Sequence, residues 1–146
     1  MPGLYFDELS VGQVFKHPIR RTITEADNVW FSCLTHNPAY LHLDEQYCQE
    51  HTEFGHRIVN SAFTLGLMVG ISVNETTLGT AIANLGWDEV RFPAPVPVDS
   101  NLRLGVTVAG AEDVTGGVQV ALDLTFETEG STKPSCVAQV VFRYFH

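Results

Sequence analysis

Cations are what this chain has least of. Eight Lys and Arg stand against 17 Asp and Glu in 146 residues, a net charge of −9. That balance repels a polyanion and argues against a nucleic-acid partner. Cysteine is also scarce. Cys33, Cys48 and Cys136 are odd in number and form no Cys-x-x-Cys pair. They argue against a disulfide framework and read as three buried free thiols of a reducing compartment. The longest apolar run, Ser61 to Val73, is too short to cross a bilayer, and no basic leader followed by an apolar stretch opens the chain. A cytoplasmic protein without a membrane partner is therefore expected. No repeat, low-complexity tract or long linker interrupts the sequence, so residues 1–146 read as a single domain.

Apolar residues make up 45% and charged residues only 17%, enough for a substantial core. Val14 to Arg21 has the pattern of an edge strand around Pro18. Thr24 is an N-cap signal, with Glu25 and Asp27 in the first turn of a short helix. Val29, Trp30, Cys33 and Leu34 are the apolar stripe expected to pack inward, and Asn37-Pro38 ends the helix. Asp44 caps a second short helix through about Gln49, and Gly55 marks a turn. Asn60 or Ser61 then opens a helix that is apolar nearly all round through Val73 and must be enclosed. Gly66 and Gly70 within it would admit another backbone at close range. The second half alternates as strands: Ala81 to Phe92 broken by Gly86, Leu102 to Val108, Val118 to Phe126, and Cys136 to Phe145. Gly116-Gly117 and Glu129-Gly130-Ser131 are the hairpin turns. One buried helix followed by long antiparallel strands predicts an α+β fold, a curved sheet wrapped around that helix. So few helices cannot cover both faces of such a sheet, which predicts a homodimer or higher homo-oligomer.

Chemistry concentrates in Thr35-His36-Asn37-Pro38-Ala39-Tyr40-Leu41-His42-Leu43-Asp44, where two histidines, an amide and a carboxylate surround a proline turn. His42 is the candidate for proton transfer. Asn37 can orient a water but cannot take its proton, and is equally suited to a turn or helix C-cap. Asp44 is most simply a helix cap. His36, His42, His51 and His56 match no common metal-ligand spacing, so no metal is expected. Arg57 and Arg91 are candidates to meet an anionic group of a substrate. Asn60, Ser61 and Ala62 open the apolar helix, whose first amides point toward its positive dipole end and suit a developing negative charge.

These residues resemble the MaoC-like dehydratases, or (R)-specific enoyl-CoA hydratases, of the hotdog fold. The family signature Gly-Asp-x-Asn-Pro-Ile-His ends on a histidine that matches His42. Phe54-Gly55-His56-Arg57-Ile58-Val59-Asn60-Ser61 resembles the segment entering the family's central helix. Arg91-Phe92-Pro93-Ala94-Pro95-Val96 resembles its Phe-x-x-Pro-Val stretch. The match departs at the acid: counted back from His42 without gaps, the family's Asp falls on Asn37. Aligning Asn37-Pro38 with the family's own Asn-Pro puts Thr35 there instead. Ser61 replaces the glycine whose amide faces the thioester.

The resemblance implies a lyase that reversibly hydrates a 2-enoyl-CoA to a 3-hydroxyacyl-CoA, without cofactor, and the departure from the usual signature leaves room for a branched or dicarboxylic acyl group. In that reading His42 is the acid/base, Asn37 orients water, and the Ser61 amide is the oxyanion donor. Arg57, Arg91, Asn60 and Ala62 lie with the substrate. Two other functions fit the same fold: an acyl-CoA thioesterase, and a degenerate subunit that only binds acyl-CoA. The apolar helix carries no acid for the first, while the missing Asp favours the second.

Overall fold

In the computed structural model, residues 3–145 are described. Five strands form one antiparallel sheet in the order β1-β3-β4-β5-β2. They are β1 (Val14–Thr22), β2 (Ala81–Arg91), β3 (Asn101–Val114), β4 (Gly117–Thr128) and β5 (Pro134–Tyr144). The two hairpins turn where glycine supplies a positive φ: 83° at Gly116 and 83° at Gly130. β1 lies at one edge, and its register with β3 shifts between Lys16 and Arg20. Pro18 falls in that bulge, where its missing donor breaks no ladder bond.

Alternation in β3 and β4 sets one face of the sheet. Leu102, Leu104, Val106 and Val108 are buried, as are Val118, Val120, Leu122, Leu124 and Phe126. Against that face runs the central helix, labelled α4 (Ser61–Thr76), which packs on β1, β3, β4 and β5. Its buried positions are Thr64, Met68, Ile71, Ser72 and Thr76, a stripe at helical spacing. This is the α+β architecture expected from the strand pattern, a sheet wrapped on one helix, and the hotdog arrangement that the family resemblance implies. The helix is only partly enclosed, however. Ala62, Gly66 and Gly70, four residues apart, are all exposed.

Between β1 and α4 the chain makes α1 (Glu25–Leu34), a single turn α2 (Tyr40–Leu43) and α3 (Glu45–His51). Thr24 and Asp27 form a reciprocal capping box on α1, Thr24 N donating to Asp27 Oδ2 at 2.8 Å and Asp27 N to Thr24 Oγ1 at 3.3 Å. Asp44 caps α3 by accepting from Tyr47 N at 2.9 Å. Two expectations need correction here. The buried residues of α1 are Asn28 and Ser32, whereas Trp30 is 68% and Leu34 73% exposed. Cys33 shares that outer face and is exposed, while Cys48 and Cys136 are buried thiols. Burial pushes the Cys136 pKa up to about 11. The physical reason for the inversion is that α1 faces polar backbone, not the sheet. Its inner side meets the carbonyls of residues 42 and 58, which amide side chains satisfy and apolar ones would leave unpaired.

Candidate active site

The site is assembled where α1, α2 and the start of α4 converge. His42 sits in α2 and is buried. That single turn forms because Asn37 Oδ1 accepts from Ala39 N at 3.0 Å, an Asx turn that folds the chain around Pro38. Upstream, His36 takes φ 55° and turns the chain out of α1. His42 N then donates to Ala39 O at 3.0 Å, and Ile58 N to Leu41 O at 3.2 Å.

The imidazole is oriented by one backbone group. His42 Nδ1 lies 2.9 Å from Ile58 O. A carbonyl can only accept, so Nδ1 carries the proton in the neutral ring and Nε2 keeps its lone pair. Ile58 is itself held by a bridge to Pro97, and Val59 N donates to Val96 O at 2.8 Å. The acceptor of the histidine is thus part of a two-stranded strap.

Asn28, which the sequence reading passed over, joins these pieces. It is only 1% exposed. Its Nδ2 donates to His42 O at 3.1 Å and to Ile58 O at 3.2 Å. Its Oδ1 accepts from Asn60 N at 2.8 Å. The signal in the sequence was a pair of small polar residues, Asn28 and Ser32, four apart on one helical face.

Asn60 is the N-cap of α4. Its Oδ1 accepts from Ala62 N at 3.1 Å, and its Nδ2 donates to Ser32 Oγ at 3.4 Å. The Ala62 amide is therefore engaged in capping, and Thr64 N donates to Asn60 O. The amides of Ser61 and Phe63 retain no protein acceptor among the described residues. They are donors that the helix end leaves open, at its positive dipole end.

Beside Ser61 lies a cavity of about 190 Å³ whose lining includes Phe54, Ile58, Thr64, Phe92, Pro95 and Val96. Among the described residues, Thr64 Oγ1 has no hydrogen-bond partner and no charged side chain lines this space.

The two arginines part company. Arg57 is bound by two carboxylates: Nη1 donates to Glu25 at 2.7 Å, and Nε and the backbone amide donate to Glu45 Oε2, each at 3.1 Å. These pairs, Glu25 first, hold its guanidinium charged. Glu45 also accepts from His56 Nδ1 at 2.8 Å. That bond and the Arg57 contacts draw its pKa down to about 2. Arg91 is exposed, has no ion pair among the described residues, and donates from Nη1 to Val90 O at 2.7 Å. The structure therefore joins Asn60, Ser61 and Ala62 to His42 through Asn28. It places Asn37 in the turn before His42 and Arg57 in an ionic cluster just ahead of Ile58.

The family model described as "MaoC like domain" matches residues 7–129. The 3-hydroxyacyl-thioester dehydratase Z of Mycobacterium tuberculosis is 37% identical over 126 residues, covering 84% of this chain and 83% of that protein. The (R)-specific enoyl-CoA hydratase of Rhodospirillum rubrum is 30% identical over 128 residues, covering 85% and 78%. The unliganded R-hydratase of Pseudomonas aeruginosa superposes with a TM-score of 0.80 at 22% identity, over 99% of this chain and 87% of that one. That last likeness speaks for the fold alone. With the family model spanning most of the sequence and the sheet wrapped on α4, the chain belongs to the MaoC-like dehydratase family, hydratase or dehydratase enzymes of the hotdog fold.

Proposed function

We propose that this protein adds water reversibly across the double bond of a short 2-enoyl-CoA, giving the 3-hydroxyacyl-CoA. The observation that carries the reading is His42, buried and tied through Nδ1 to Ile58 O at 2.9 Å, in one hydrogen-bonded unit with the opening turn of α4. Its Nε2 accepts a proton from water as the water oxygen bonds to C3. The same proton, or its equivalent on the imidazolium, is then delivered to C2. Negative charge that gathers on the thioester oxygen in between is held by the Ser61 amide at the positive end of α4.

Asn37 uses one lone pair of its oxygen on Ala39 N, which leaves Nδ2 to orient the water. With an amide there, His42 carries the proton transfer without a carboxylate. The acyl tail occupies the cavity of about 190 Å³ beside Ser61. An uncharged lining favours a neutral tail over a dicarboxylic one, because a carboxylate buried without a cation is strongly disfavoured. Arg91, with no carboxylate partner among the described residues, is the arginine of the two better placed to meet a CoA phosphate. The enzyme works as a homodimer or a larger homo-oligomer.

The test is a purified-protein assay on a panel of enoyl-CoAs including branched and dicarboxylic members. Loss of the conjugated double bond and release of free thiol are followed together in wild type and His42→Ala. Hydration that drops by about a thousandfold or more in His42→Ala supports the reading. Thiol release without hydration assigns a thioesterase instead. Binding of acyl-CoA with neither activity assigns a subunit that has lost its chemistry.

A further inference from the structure

We propose that Asn28 is a positioning residue that fixes the base His42 at a set distance and angle from the oxyanion donors of α4. The proposal rests on the hydratase reading for its kinetic consequence, but its structural content stands separately. Among the described residues, Asn28 is the side chain that bonds to the backbone of both His42 and Asn60. Its amide nitrogen spends both hydrogens, on His42 O at 3.1 Å and on Ile58 O at 3.2 Å. Its oxygen accepts from the backbone of Asn60 at 2.8 Å, and Asn60 in turn caps α4 through Ala62 N.

Two consequences follow from donor and acceptor chemistry. First, the amide cannot be flipped. An inverted Asn28 would set its oxygen against two carbonyls and its NH₂ against an N–H. No other small side chain supplies two donors and one acceptor at that reach. Second, Ile58 O receives two hydrogen bonds, one from Asn28 Nδ2 and one from His42 Nδ1. Asn28 holds the carbonyl that dictates the histidine tautomer, and it grips the backbone of that same histidine. Removing it loosens the acceptor, the base and the helix start relative to each other. A general base displaced by a fraction of an ångström loses transition-state alignment far more than it loses substrate affinity.

The experiment uses full-length protein labelled with ¹⁵N at histidine, read by ring-nitrogen NMR, alongside kinetics on the best enoyl-CoA of the panel. In wild type, neutral His42 is expected as the Nδ1–H tautomer. Asn28→Ala should show a mixture of tautomers, with kcat lowered by at least about tenfold and KM changed by less than about threefold. Asn28→Ser, which keeps one donor at shorter reach, is the second variant and should fall between the two. Val120→Ala, a core truncation on β4 remote from α1, controls for lost stability and should leave tautomer and kcat as in wild type. An Nε2–H tautomer in the wild-type protein overturns the proposal without any variant. So does an Asn28→Ala protein with unchanged tautomer and unchanged kcat, or a Val120→Ala protein that reproduces the Asn28→Ala loss. If wild type hydrates no enoyl-CoA, the hydratase reading falls, and the tautomer comparison still decides the role of Asn28.

Discussion

At the scale of single residues, the gapless register, which sets the family's Asp on Asn37, is the alignment that a single substitution can test. The family's carboxylate would be an acid/base next to His42, and Asn37 is an amide whose oxygen closes the turn on Ala39 N at 3.0 Å. Asp is nearly isosteric and can accept that same hydrogen bond, so Asn37→Asp keeps the Asx turn intact. The expected outcome is a folded enzyme whose melting temperature stays within about 3 °C of wild type, and whose hydration rate rises several-fold. A purified variant that melts normally but hydrates more slowly would show that the acid does not belong at position 37, and would favour Thr35 as the counterpart. The spacing within the signature singles out His42, and the structure shows it buried with Nδ1 2.9 Å from Ile58 O. Asn28 was not legible, because its value lies in contacts to residues 42, 58 and 60, which only the fold brings within reach.

Among the elements, the capped helix starts and the strands were readable because their causes are local. Thr24 with Asp27, Asp44 with Tyr47 N, and Asn60 with Ala62 N all satisfy amides within three residues. The facing of α1 was not readable, since apolar periodicity identifies an apolar face without saying what it meets. Here Trp30, Cys33 and Leu34 point outward and the amide face turns in. The connection between α3 and the strap ahead of α4 is ionic, and it has a pH signature. Glu45, at the first position of α3, has a pKa lowered from 4.5 to about 2 by His56 and Arg57. A depressed folded-state pKa means the carboxylate contributes stability that is fully present above pH 4.5 and disappears as pH falls toward about 2. Melting temperature measured as a function of pH should therefore fall less steeply for Glu45→Gln than for wild type within that window, while the two run parallel above it. Equal slopes on both sides of pH 4.5 would mean the cluster adds nothing to folding.

For the molecule as a whole, the apolar residues left open on β2 and α4 are the surfaces on which the proposed homodimer can be tested. β2 is an edge strand of the sheet, with Ile82 44% and Leu85 52% exposed. An unpaired apolar edge is a template for another strand unless charge or a covering element protects it. On α4, the exposed Ala62, Gly66 and Gly70 leave a shallow track where another backbone can approach without side chains between. Phe92, 42% exposed, continues the β2 edge toward the cavity beside Ser61, so a partner seated on β2 would also shield the acyl site from water. The inferred homodimer predicts a solution mass of two chains, or a multiple of two, by light scattering at micromolar concentration. Leu85→Asp, which puts a charge in the middle of that edge without touching His42, Asn28 or Asn60, should shift the mass to one chain. It should also speed amide hydrogen exchange along β2. Wild-type protein that scatters as a single chain would remove the dimer from the account. The acyl cavity would then have to exclude water with its own lining alone, and the exposed edge would mark a surface for some other protein.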